Sequence, residues 1–180
     1  MFSMNSIGKL ADLLKDRNKI DQQIAGIISR PAEKGHISEW IASKVFSIEL
    51  NRNRNEKGYD GIFTEGSLKG KKVDIKYYTV NQHQIDLNPE ISEDVYLLIL
   101  TGPHRSASSE NQYRQFCISD IYLFNERELC DKLKSGVRVG KATSVKEGYW
   151  DRRKIYPENK LDFGLCMKSE ALRFFCCKQE

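Results

Sequence analysis

Near residue 50 the spacing of apolar residues changes from the three-and-four rhythm of helices to the alternation of strands, so the chain has to lay helices against a sheet. Residues 7–28 place Leu10, Leu13, Leu14, Ile20, Ile24, Ile27 and Ile28 on one stripe, with Lys15, Asp16, Lys19, Gln22 and Gln23 between them. This predicts an amphipathic helix of about six turns. Its stripe is narrow and close to a 3.5-residue period, so it suits packing on its own domain and also a contact with a second copy. Pro31 and Gly35 interrupt the pattern, and "HISEWIASKVFSIEL" (36–50) predicts a second helix. Ile37, Ile41, Val45 and Ile48 form one of its stripes and Ala42, Phe46 and Leu50 another, with Glu39 in line with the second.

From residue 59 the period is two. "YDGIFT" (59–64), the turn "SLKG" and "KKVDIKYYTV" (71–80) predict a hairpin, and "DVYLLIL" (94–100) a strand covered on both faces. "QYRQFCI" (112–118) alternates like a strand, and "SASS" (106–109) precedes it as a loop. "SDIYLFNERELCDKLKSG" predicts a helix capped by Ser119 or Asp120 and ended by Gly136. Short strands or loops follow in "VRVGKATSV", "LDFGLCM" and "LRFFCCK". The expected fold is α/β: a mixed sheet of four to five strands flanked by helices. Residues 1–30 form the amphipathic helix, 31–135 the core and 136–180 a C-terminal extension packed on it, one domain overall. A chain of 180 residues, 39% hydrophobic and 30% charged, is large enough for such a core.

No run nears the roughly 20 apolar residues of a membrane span, and "MFSMNSIGKL" lacks the order of a signal peptide, which points to the cytoplasm and to no membrane partner. Cys117, Cys130, Cys166, Cys176 and Cys177 are odd in number and include an adjacent pair, which predicts reduced thiols. His36, His83 and His104 stand at no zinc spacing to them. The net charge of +4 is mild, but "NRNRNEK", "KGKK", "KLKSGVRVGK" and "DRRK" concentrate basic groups. The first two flank residues 58–68, where a basic rim suits a polyanion; Lys71, Lys72, Arg152 and Arg153 are the candidate contacts.

Residues two apart on a strand share a face, so Asp74 and Lys76 project together with Tyr78. Antiparallel pairing through the 65–70 turn brings Asp60 beside them, and Glu39 can reach across from its helix. Converging carboxylates raise each other's pKa unless a cation neutralises them, and Mg²⁺ favours such an oxygen setting. A neighbouring lysine then stabilises charge on a phosphate and positions water. Gln82, His83 and Asp86 are loop residues that can meet substrate, and Tyr77 and Tyr78 either stack on a base or fill the sheet. Trp150 beside "DRRK" suits a DNA-facing edge or the rim of the extension. "GSLKGKK" lacks the Walker spacing.

The order Glu39, Asp60, then "VDIK" with Asp74 and Lys76, over helix, hairpin and strand, resembles the PD-(D/E)XK superfamily of restriction-endonuclease-like nucleases. More narrowly, "GYDG…VDIKYYT" and "VGKATSV…W" resemble a prokaryotic branch of it. The resemblance implies a restriction-endonuclease-like core and a metal-dependent endonuclease. Asp60 and Asp74 are then ligands of Mg²⁺ or Mn²⁺, Ile75 offers its main-chain carbonyl, Lys76 is catalytic and Glu39 is the accessory acid. The implied partner is double-stranded DNA, with a homodimer through the N-terminal helix. Tyr59 stands where the superfamily's name has proline. A nuclease-fold DNA-binding protein without turnover, or acids merely salt-bridged to lysines, are the alternatives.

Overall fold

The computed structural model describes residues 4–51, 58–79, 83–90, 94–102, 115–134, 136, 138–158 and 164–177. The basic run 52–57, the loop 106–109 and Gln82 lie outside them. The chain divides into two compact units, Met1–Ile37 and Ser38–Glu180.

The first unit is dominated by α1 (Met4–Ile28). The ion pairs Lys15–Asp12, Lys19–Asp16 and Arg17–Asp21 tie successive turns at 3.0, 3.0 and 3.5 Å. Ile7, Leu10, Leu13, Leu14, Ile20 and Ile27 are exposed along it. Ser29 then takes a positive φ of 55°, and Pro31 follows before α2 (Lys34–Val45).

In the second unit α2 buries Ser38, Ile41, Ala42 and Val45. It stops short of the helix expected to residue 50, because Ser47 adopts φ 51° and Ile48–Leu50 become β1. The carbonyl of Ser47 accepts from both the N–H and the hydroxyl of Thr64, at 2.8 and 2.6 Å, which secures the bend. Apolar spacing alone did not separate the two, since Ile48 and Leu50 fit either a helical stripe or an alternating strand.

The expected hairpin is present as β2 (Gly61–Phe63) and β3 (Lys72–Tyr78). β3 pairs in parallel with β5 (Val95–Thr101), and β5 is antiparallel to β6 (Asp120–Asn125). Six strands form the main sheet in the order β1-β2-β3-β5-β6-β8, more than the four or five expected. Three of them were not expected as strands: β6, and β1 and β8 (Lys154–Tyr156), each of three residues and too short for a clear period.

The helix expected from Ser119 or Asp120 begins later. Residues 120–125 are β6, and α3 runs Glu126–Leu133. "DIYLF" is rich in strand formers and completes the ladder on β5, while Asn125 caps α3 by accepting from the Glu128 N–H at 3.0 Å. Of "QYRQFCI", residues 115–118 contribute one parallel bridge, Ile118 to Cys176. Of "LRFFCCK", expected as a short strand or loop, Leu172 and Arg173 end α5 (Ser169–Arg173) and residues 174–177 turn into the bridge at Cys176. That bridge brings Cys117 and Cys177 together as a disulfide, with Cα atoms 4.9 Å apart, which corrects the expectation of reduced thiols; Cys130, Cys166 and Cys176 are free.

One core lies on the face that carries Leu97 and Ile99 of β5 and Tyr122 and Phe124 of β6. Leu129, Cys130 and Leu133 of α3 close it, with Ile85 of β4 (Gln84–Ile85), Leu87, Val145 and Trp150 of α4 (Glu147–Asp151). β4 pairs with β7 (Thr143–Ser144) in a separate two-stranded ribbon. Residues beyond 136 therefore supply two strands, β7 and β8, and core side chains. No helix among the described residues is long and apolar enough to cross a membrane.

Candidate active site

Register fixes which side chains share a face. Asp74 pairs with Leu97, Lys76 with Ile99 and Tyr78 with Thr101, so the acid and the lysine stand on the face of the Leu97–Ile99 core, at its margin. The neighbours Val73 and Ile75 are buried on the other side. The Lys76 ammonium bridges both oxygens of Asp74 at 2.8 Å, with the side chains 33% and 16% exposed. Both remain within reach of a ligand.

Asp60 sits where β2 begins. Its N–H donates to the Val73 carbonyl at 2.8 Å while Gly61 stands in register with Val73, so two residues face one, as in a β-bulge. On its other side the Asp60 carbonyl accepts from the Asn51 N–H at 2.8 Å. Gly61 is required there. A Cβ would lie 2.5 Å from the Glu49 carbonyl oxygen and 2.7 Å from the Ile48 side chain. The Asp60 carboxylate, held in this way, accepts from the Ile75 N–H at 2.7 Å.

Burial, and after it the charge of Asp74, pushes Asp60 up to about 7, against the lowering effect of the Ile75 N–H. A hydrogen bond to Asp74 and the charge of Glu39 add to the rise. Burial alone would lower the pKa of Lys76, but Asp74 first, then Asp60 and Tyr78, hold it above the usual lysine value. Glu39, half-buried on α2, thus enters the electrostatics of Asp60.

Of the candidate basic contacts, Lys72 lies on the same strand face as Asp74 and Lys76, its ammonium 4.5 Å from the centre of the Tyr59 ring. Lys71 is exposed and 4.0 Å from Asp94. Arg152 is exposed at the end of α4, and Arg153 pairs with Glu128 at 3.1 Å. Both precede β8, which lies beyond β5 and β6 from β3, roughly 14 Å away at ~4.8 Å per strand. They are not brought to the acids.

Several other candidates have structural roles. The Tyr77 ring stacks on Phe116 with centroids 4.6 Å apart, and its hydroxyl donates to the Cys117 carbonyl at 3.1 Å. Trp150 is buried against Tyr122 and Phe124, so it is core and not a DNA-facing edge. His83 lies 5.8 Å from that indole, and Asp86 accepts from the Ala142 N–H at 2.8 Å.

Sequence reasoning missed Glu126. It is 2% exposed, its carboxylate accepts from the Asn88 N–H at 2.7 Å, and burial raises its pKa, with Asp74 adding to the rise and Lys76 opposing it. Starting the helix at Ser119 hid it; with the cap at Asn125 it becomes an acid of the first turn beside the strand ends.

Compared with known proteins, the chain matches no family model, and the curated proteins contain no significant match to it. Among the described residues no three His, Cys, Asp or Glu side chains stand together at metal-holding spacing. Mg²⁺ needs fewer, since one or two carboxylates serve alongside water and phosphate oxygens. Asp60 and Asp74 fit that requirement: the single ammonium of Lys76 balances Asp74, and the rise of Asp60 to about 7 is what a second cation would relieve. The N–H and C=O of a strand residue point to the same side, so Ile75, which donates to Asp60, turns its carbonyl toward the same open edge.

Proposed function

We propose that the protein is a metal-dependent nuclease that hydrolyses phosphodiester bonds, in double-stranded DNA, on a restriction-endonuclease-like core. One observation carries this reading: the hairpin holds Asp60 on the Ile75 N–H at 2.7 Å, next to Asp74 and the lysine that bridges it at 2.8 Å, and burial and then Asp74 push Asp60 up to about 7. Asp60 and Asp74 would hold Mg²⁺ or Mn²⁺ with the Ile75 carbonyl, and Glu39 would be the accessory acid. A divalent ion supplies charge for the phosphate oxygen and lowers the pKa of water. Lys76, released from Asp74 when a phosphate arrives, would place its ammonium against the developing charge and orient the attacking water. Asp60 would give up its proton as the cation enters. Lys72 would contact the backbone beside the scissile bond. The partner in double-strand cleavage would be a second copy met through the exposed stripe of α1.

The experiment is plasmid cleavage by purified protein with Mg²⁺ or Mn²⁺. Asp74→Ala and Lys76→Ala should each reduce cutting by about 100-fold or more while the circular-dichroism spectrum stays unchanged. Cutting that survives both changes sinks the assignment. The ion pair of Lys76 with Asp74 favours a second reading, a DNA-binding protein without turnover in which the pair is structural. Salt-dependent DNA binding with no cleavage would select it.

A further inference from the structure

The segment after β4 is pinned at both ends. At one end the Asp86 N–H donates to the Tyr78 hydroxyl at 3.1 Å. At the other the Asn88 N–H donates to Glu126 at 2.7 Å. Between them Leu87 is buried in the core, and its N–H donates to the Gly140 carbonyl at 3.0 Å. Tyr78 lies two residues beyond Lys76 on the same strand face, while Glu126 is close enough to Asp74 and Lys76 to feel the charge of both. Residues 86–88 therefore run as a strap alongside the Asp74–Lys76 pair.

The strap's anchor is unusual in cost. Glu126, a residue 2% exposed at the start of α3, is expensive to bury as an acid, and a single main-chain N–H offsets only part of that cost. A helix start without such a role would carry its acid facing solvent, as Glu128 does. We infer that Glu126 is a positioning residue of this site, holding Asn88 so that the Asp86–Asn88 strap forms one wall of the space that receives the scissile phosphate. The inference rests on the nuclease reading for its catalytic consequence, but the clamp itself does not.

Three variants separate the possibilities. Glu126→Ala removes the acceptor, Glu126→Gln keeps one for the Asn88 N–H, and Leu172→Ala destabilises the molecule from a fully buried site in α5. Hydrogen exchange by mass spectrometry should show peptides covering 83–90 opening at least about tenfold faster in Glu126→Ala than in the wild type, with Glu126→Gln close to the wild type. With Mg²⁺ and plasmid DNA, Glu126→Ala should lower kcat about 10- to 100-fold, as misplaced substrate contacts do, and Glu126→Gln should restore most of it. Unchanged exchange at 83–90 in Glu126→Ala overturns the clamp. A loss of kcat matched by Leu172→Ala at equal loss of thermal midpoint overturns the positioning role. If the wild type cuts no nucleic acid, the nuclease reading fails by itself, and the exchange experiment still decides the clamp.

Discussion

A carboxyl driven from 3.8 to about 7 makes Asp60 a measurable residue in its own right. A carboxyl raised in this way favours the folded state fully below its unfolded value, and that contribution is lost as pH rises through the folded value. In metal-free buffer the wild type should therefore lose stability between about pH 4 and 7, on the order of 4 kcal/mol, and Asp60→Asn should flatten that slope. Urea denaturation across this range checks it; identical slopes would remove Asp60 from the pair. Saturating Mg²⁺ should oppose the loss above pH 7, because a cation favours the ionised pair. Asp74 and Lys76 were legible from period two alone, since a strand puts alternate residues on one face whatever surrounds it. The pKa of Asp60 was not, because it depends on burial and on a neighbour fourteen residues away in the chain.

Among the elements, the tight approach of β1 to β2 at Gly61 is the most exposed to substitution. Gly61→Ala should cost about 3 kcal/mol, since the new methyl meets the Glu49 backbone and cannot be absorbed by a side-chain rotation. An unchanged thermal midpoint would show that β1 does not lie so close. α1 carries the other prediction at this scale. Its apolar residues are exposed while its charges pair along its own surface, so Leu13→Asp and Ile20→Asp together should convert a dimer to a monomer in light scattering. A wild type that is already monomeric at micromolar concentration would set the second copy aside. The long helix and β5 could be read from the sequence because many residues vote for one period. β1 could not, as three residues fit a helix or a strand equally, and β6 reads as the start of a helix because only its pairing with β5 makes it a strand.

For the whole molecule, the disulfide between Cys117 and Cys177 closes a span of 60 residues and ties the C-terminal segment to the residues that precede β6. Cys177→Ser should lower stability by about 4 kcal/mol under oxidising conditions, through the entropy restored to the unfolded chain, and should have little effect in excess reductant. Mass measurement after alkylation, with and without reduction, shows directly whether two thiols are protected. The chain itself determined the helical and alternating segments, the shared face of Asp74 and Lys76 and the hairpin that carries Asp60, because these depend on neighbours a few residues away. Only tertiary structure decided that β8 joins the sheet, that Cys117 meets Cys177, that Trp150 is buried and that Glu126 receives the Asn88 N–H. Those outcomes depend on which distant surfaces come together to remove apolar area from water, and no local period records that.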